Sequence, residues 1–265
     1  MSLISMLTLI SPFRALALVG LLSAAAGAET TFRSGPARVA LLELYTSEGC
    51  SSCPPAEKWL GELRTAAGLW RDFVPVAFHV NYWDHLGWRD ALASKAFTDR
   101  QHAYAATWSA NSVYTPGFVR NGAEWRPRLG APLKSDDANA GALTLHWDAT
   151  TNACTIEYVP ARNPPDKKAA GRLEVSIALL GGGIVHQIRK GENSGRELRH
   201  EFVALRLETI ALARGAPGTG PEAWTATASL PPRTEIVNTR RALAAWVTTR
   251  GQLTPLQAAG GWLEQ

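Results

Sequence analysis

Two cysteines three residues apart, Cys50-Ser-Ser-Cys53, are the residues here whose type and spacing most directly offer chemistry. Sulfurs at that spacing meet across one helical turn and close a small-ring disulfide. The pair follows an apolar segment, residues 38–46, and precedes Pro54 and Pro55. Prolines suit a helix's first turn, where a missing N–H costs nothing. A helix start supplies unpaired N–H groups and the positive end of a dipole. Both stabilise a thiolate, the species that attacks disulfides. Cys50 is therefore expected to be an exposed nucleophile of lowered pKa, and Cys53 the resolving thiol. Two other readings use the same residues. One is a structural disulfide that clips a loop. The other joins Cys50 and Cys53 to His79 as a copper or zinc site, because soft thiolates with an imidazole suit Cu(I) and zinc.

The elements that must position this pair are read from hydrophobic periodicity. Residues 38–46 and 73–80 are short apolar runs, as in strands buried on both faces of a parallel sheet. Trp59, Leu60 and Leu63 fall at helical spacing. Thr98-Asp-Arg-Gln101 reads as a capping box opening a helix that runs to about Trp108. Residues 117–126 read as a hairpin turning at Asn121-Gly122. Strand, helix, strand, helix and hairpin predict a parallel sheet with right-handed crossovers. Residues 129–137 are poor helix formers, so a closing helix there is expected to be short or absent.

Residues 79–88, His-Val-Asn-Tyr-Trp-Asp-His-Leu-Gly-Trp, begin at the carboxyl end of the second strand. In a parallel sheet that is the rim on which Cys50 sits. Tyr82 and Trp83 are therefore candidate substrate-binding residues beside the thiols, whereas Trp88 reads as a hydrophobic lid. His79, on an apolar strand, reads first as a satisfied core histidine.

The composition changes after about residue 140. Short strand-like runs at 143–147, 154–159, 173–180, 184–188, 202–210, 224–230 and 243–248 are separated by turn-rich segments, including Gly181-Gly-Gly183. This predicts a mostly antiparallel β region, either a sandwich or an added sheet. Cys154 alternates with Ile156 and Tyr158 on one strand face, as a buried small hydrophobe would. Residues 189–196, Gly- and charge-rich, read as a solvated loop.

Residues 1–28 have the form of a secretory signal: one base, Arg14, then a short apolar run, then Ala26-Gly27-Ala28. The apolar run is shorter than the roughly 20 residues a membrane span needs. The expected product is secreted or periplasmic, with no stable membrane insertion after cleavage. Residues 29–140 would hold the CxxC unit and 141–265 the β-rich region. Lys+Arg 27 against Asp+Glu 23 gives a net charge of +4 without a basic run, so the charge pattern does not predict a nucleic-acid partner.

Residues 41–57, Leu-Leu-Glu-Leu-Tyr-Thr-Ser-Glu-Gly-Cys-Ser-Ser-Cys-Pro-Pro-Ala-Glu, with residues 79–88, Val113-Tyr-Thr-Pro116 and residues 189–196, resemble the secreted thioredoxin-like proteins of domain-of-unknown-function family 1223. The resemblance implies an α/β thioredoxin-like domain, with a parallel or mixed sheet and flanking helices, followed by the β-rich region. It does not supply a substrate; the CxxC chemistry itself predicts thiol-disulfide exchange through a mixed disulfide at Cys50, with a protein or small-thiol partner and without a cofactor. In the wider thioredoxin superfamily a cis-proline faces the CxxC, and Thr115-Pro116 stands where it is expected, ready to hold a substrate strand. A buried acid on the strand before the motif helps deprotonate the resolving cysteine, and Glu43 matches it if the following loop has one extra residue. The competing reading of Glu43 is an edge-of-core acid paired with an arginine. Gly49 stands where thioredoxins carry tryptophan, and Ser51-Ser52 adds no base, so the redox direction is not set by the sequence. The same resemblance makes Glu192, Asn193 and Arg196 weak ligand candidates.

Overall fold

The computed structural model describes residues 29–127, 133, 136–161, 172–215, 223–231, 236 and 240–263. The expected signal segment and the turns at 163–166 and 216–220 lie outside the described residues. Among the described residues, seventeen strands and two α-helices follow one another in the order β1 (Glu29–Arg33), β2 (Ala37–Arg38), β3 (Ala40–Thr46), α1 (Pro54–Glu62), β4 (Phe73–His79), α2 (Lys95–Thr107), β5 (Gly117–Arg120), β6 (Ala123–Glu124), β7 (Asp136–Asn139), β8 (Ala142–Asp148), β9 (Ala153–Val159), β10 (Leu173–Gly182), β11 (Ile184–Gln187), β12 (Glu197–His200), β13 (Val203–Ala211), β14 (Ala213–Arg214), β15 (Trp224–Ser229), β16 (Arg240–Thr249) and β17 (Pro255–Leu263).

An eight-stranded mixed sheet has the order β17-β16-β10-β13-β4-β3-β5-β6. β3 and β4 pair in parallel from Ala40↔Phe73 to Thr46↔His79, and the connection between them carries α1. Every residue of both strands is buried, as their unbroken apolar runs require. β5 pairs antiparallel to β3, and the hairpin turns at Asn121 (φ 50°) and Gly122 (φ 84°), the two positive dihedrals of a type I′ turn.

The chain beyond residue 140 does both things that its composition left open. β10, β13, β16 and β17 extend the sheet of β3 and β4, with β13 joining β4 in parallel at Val203↔Ala77. β1, β8, β9, β15 and β14 form a second, antiparallel sheet. The period-2 alternation divides the shared strands between two cores. On β16, Leu243, Ala245 and Val247 pack with Leu145, Trp147 and Ile156 of the second sheet. Ala242, Ala244 and Trp246 face the other way, onto Phe78, Phe97 and Tyr104.

Three local expectations are corrected. α2 begins one turn before the expected capping box: Ser94 is the N-cap and accepts from Ala96 N at 3.2 Å. Thr98 is instead buried, donating its hydroxyl to Asn81 Oδ1 and accepting from Asn81 N. Residues 136–139 form a strand against Ala37–Arg38, not a helix. Gly181 and Gly182 stay within β10, and only Gly183 (φ 74°) turns.

Candidate functional site

β3 ends at Thr46 and the chain tightens through Ser47–Cys53 into α1. Cys50 N donates to Ser47 O, and Cys53 N donates to Cys50 O. Cys53 is the N-cap of α1, and its carbonyl accepts from Ala56 N and Glu57 N. Pro54 and Pro55 occupy the first helical positions, where no N–H is needed. Cys50 and Cys53 are joined as a disulfide with a Cα–Cα separation of 5.5 Å. The pair thus sits at the amino end of a helix, as expected, but Cys50 is not exposed. Both cysteines are fully buried.

Two loops cover them. From one side comes the segment after β4. Gly49 lets it approach: a Cβ there would stand 2.9 Å from Trp83 Cβ. Trp83 Nε1 donates to Thr115 Oγ1 at 2.8 Å, and the Thr115–Pro116 peptide is cis. Trp83 is therefore packed against Gly49, next to Cys50, and Thr115 is bonded to Trp83. Tyr82 turns toward α2, donating to Gln101 Oε1 at 3.2 Å. From the other side comes the loop after β11. Asn193, buried, donates to Glu48 O at 2.8 Å and to Cys50 O at 2.9 Å. Arg196 braces it through Asn193 Oδ1, and Glu192 accepts from Ser51 N. The segment expected to be a solvated loop is thus a clamp over the disulfide.

Glu43 is buried and paired with an arginine, the second of its two readings. Arg100 reaches it through Nε at 2.7 Å and Nη2 at 3.1 Å. The hydroxyls of Tyr45 and Tyr104 also donate to it. Four donors leave this carboxylate held in a closed centre, and none of them is a cysteine.

Apart from His79, the acids and bases that do border the motif were not singled out in the sequence. Glu48, two residues before Cys50, is buried and accepts from Trp88 Nε1 at 2.7 Å. His186 Nδ1 lies 2.6 Å from Glu48 Oε1. His200 Nε2 lies 3.2 Å from the same oxygen, within ion-pair range but without an aligned hydrogen bond. His200 Nδ1 pairs with Glu57 Oε2, on the first turns of α1. Thr46 Oγ1 donates to Glu57 Oε1 at 2.6 Å. His79 Nδ1 pairs with Asp90 Oδ2 at 2.7 Å, and that oxygen also accepts from Glu48 N. Trp88 is thus a polar partner of this network as well as a partial cover. Beside it, a groove of about 510 Å³ lined by Asn81, Asp84, Arg89 and Lys95 reaches Asp90.

The network is strongly polarised. Burial opposes a charge on His200, but Glu57 and Glu48 outweigh it and raise its pKa to about 10. Burial likewise opposes charge on His79, and Asp90 raises its pKa nonetheless. Glu57 is held below the ordinary carboxylate range by His200, against the effect of its burial. Burial also works against the Glu48 charge, yet His186, His200 and Trp88 hold its pKa far below that range.

The sulfurs of Cys50 and Cys53 are joined to each other and His79 Nδ1 is held by Asp90, so the copper or zinc reading on Cys50, Cys53 and His79 requires the pair to be reduced. Among the described residues, the triads whose ligand atoms converge within 4.8 Å are Glu48–His186–His200 and Glu57–His79–His200. Cys154 is free and buried, its thiol pushed up to about 12 by burial, as an inert core residue.

No curated protein matches the chain. A crystal structure of a protein from Agrobacterium tumefaciens is 21% identical, with a TM-score of 0.55 over 87% of this chain and 99% of that one. HBP35 of Porphyromonas gingivalis is 14% identical, with a TM-score of 0.58 over 87% of this chain and 76% of its own. At these identities the likeness is one of fold. The family model described as protein of unknown function (DUF1223) matches residues 41–248, and the chain belongs to that family.

Proposed function

We propose that this protein performs thiol-disulfide exchange outside the cytoplasm, secreted or periplasmic, on a thioredoxin-like frame, with a protein or small-thiol partner. The observation that carries this reading is the Cys50–Cys53 pair at the amino end of α1, directly after a strand of a parallel β-α-β unit. A partner thiolate attacks Cys50 Sγ. The Cys50–Cys53 bond breaks, a mixed disulfide forms at Cys50, and Cys53 leaves as a thiolate stabilised by the helix end. A second partner thiolate then attacks the partner sulfur of the mixed disulfide. It leaves the partner oxidised and Cys50 reduced, and the same steps run backwards reduce a partner disulfide. Thr115, Pro116, Trp83 and Tyr82 form the surface against which the partner chain would lie.

Attack on Cys50 requires the Asn193 clamp to open, because the sulfur is covered. That burial favours a second reading: an inert staple in a binding module whose β-rich half carries the function. A Cys53→Ser variant separates the two. The exchange reading predicts mixed disulfides trapped at Cys50, released by reductant and absent from the Cys50→Ser/Cys53→Ser variant. An unmodified Cys50 in cells that secrete the protein would leave only the staple.

A further inference from the structure

Behind the disulfide, the strands β4 and β12 and the helix α1 place two imidazoles and a carboxylate in one buried triad. His79 closes β4, His200 closes β12 and Glu57 lies on α1. One ligand atom of each lies within 4.8 Å of the other two. His79 and His200 are essentially sealed from solvent, and Glu57 is buried. The rings of His79 and His200 have centroids 5.1 Å apart and stand edge to face.

His79 Nδ1 is committed to Asp90, so only Nε2 remains to it, and that atom is buried without a hydrogen-bond partner. The vacancy does not depend on the proton. As an N–H it lacks an acceptor, and as a lone pair it lacks a donor, and a buried polar atom left unmet costs roughly 1–3 kcal/mol. A cation in the triad removes that cost.

The surroundings match what a metal-bound histidine needs. A ligating imidazole is oriented by a carboxylate on its other nitrogen. Asp90 stands at His79 Nδ1. Glu48 stands 3.2 Å from His200 Nε2, on the side away from Glu57. Thr46 Oγ1 holds the second oxygen of Glu57.

We propose that His79, His200 and Glu57 bind a divalent transition ion of the zinc class, with Asp90 and Glu48 orienting the two imidazoles. Two imidazole nitrogens and one carboxylate oxygen form a borderline donor set suited to zinc, with a position left for water. The site uses neither cysteine, so it stands or falls separately from the exchange reaction. The competing triad, Glu48–His186–His200, shares His200 but includes a part-exposed ring.

The test is zinc and cobalt titration of the chelator-stripped full chain with its disulfide intact. One zinc per chain is expected. Bound cobalt should show ligand-field bands without thiolate charge transfer. Binding should survive in Cys50→Ser/Cys53→Ser and in His186→Ala. It should be lost in His79→Gln and Glu57→Gln, and weakened about 10–100-fold in Asp90→Asn. Where a buried variant does not fold, the cobalt spectrum of the unaltered chain decides. Absence of stoichiometric binding to the oxidised chain, a thiolate charge-transfer band, or loss of binding in His186→Ala would each overturn the assignment.

Discussion

Two buried carboxylate centres lie close along the chain, Glu43 on β3 and Glu48 with Glu57 in the loop and helix that follow it, and they are built on opposite principles. Around Glu43 every partner is a fixed donor: a guanidinium that stays charged and two tyrosine hydroxyls whose pKa values burial drives upward. Around Glu48 and Glu57 the partners include imidazoles beside Trp88 and Thr46, and two ring nitrogens there have no hydrogen-bond partner. The first centre is saturated and can only hold strands and α2 together. The second retains unmet capacity, and it lies against the disulfide. Burial of an acid within a strand therefore does not by itself tell a saturated centre from one with unmet capacity.

The largest effect expected from this contrast is on stability at the saturated centre. Removing one partner of a buried ion pair leaves the other charge uncompensated, at a cost of about 3–5 kcal/mol. Arg100→Met should lower unfolding free energy by about that amount in urea melts. Glu43→Gln should destabilise as well, yet leave the rate of thiol exchange across neutral pH unchanged. A rate that falls with Glu43→Gln would return this acid to the reaction.

A pH profile sharpens the comparison next. In metal-free protein the raised pKa of His200 means its contribution is complete below about 6.5 and is lost as pH climbs through about 10. The lowered pKa of Glu57 means its contribution is present above about 4.5 and lost as pH falls below it. The melting temperature should thus be highest between those values and decline on both sides. His200→Gln should flatten the alkaline limb. An alkaline limb unchanged by His200→Gln would break the distinction between the two centres.

The clamp is expected to matter less for stability than for access. Asn193→Ala removes two bonds to buried carbonyls, at about 1–3 kcal/mol. It should also speed reduction of Cys50–Cys53 by dithiothreitol, read by alkylation and mass. Smallest is Ser94→Ala, which removes the α2 cap at about 1 kcal/mol and should leave the disulfide's reactivity untouched.

Much of the frame was legible from residues 38 to 126. The apolar runs of β3 and β4, Pro54 and Pro55 after Cys53 and the Asn121-Gly122 turn each specify a local geometry that packing did not override. The histidines were not legible. His186 and His200 come from β11 and β12, more than 130 residues after Cys50, and no local pattern reports a contact at that range. A signal did exist, since Leu198 and His200 alternate inward against Glu197 and Arg199, which marks His200 as a buried polar residue. Glu48 and Glu57 read as ordinary loop and helix-surface acids because nothing near them in sequence foretells burial. β17 was hidden by Gly260 and Gly261. These glycines weaken a strand pattern, yet here they admit Trp70 and Phe32, which stand 2.8 Å and 2.1 Å from where their Cβ atoms would be.

The exchange reaction itself is tested most directly by equilibrating the protein in glutathione buffers and counting alkylated Cys50 and Cys53 by mass. The account predicts a reversible two-electron transition between about −120 and −270 mV, the range of known oxidoreductases. A pair that stays oxidised to below about −300 mV would contradict it, and would make the bond at the head of α1 a staple.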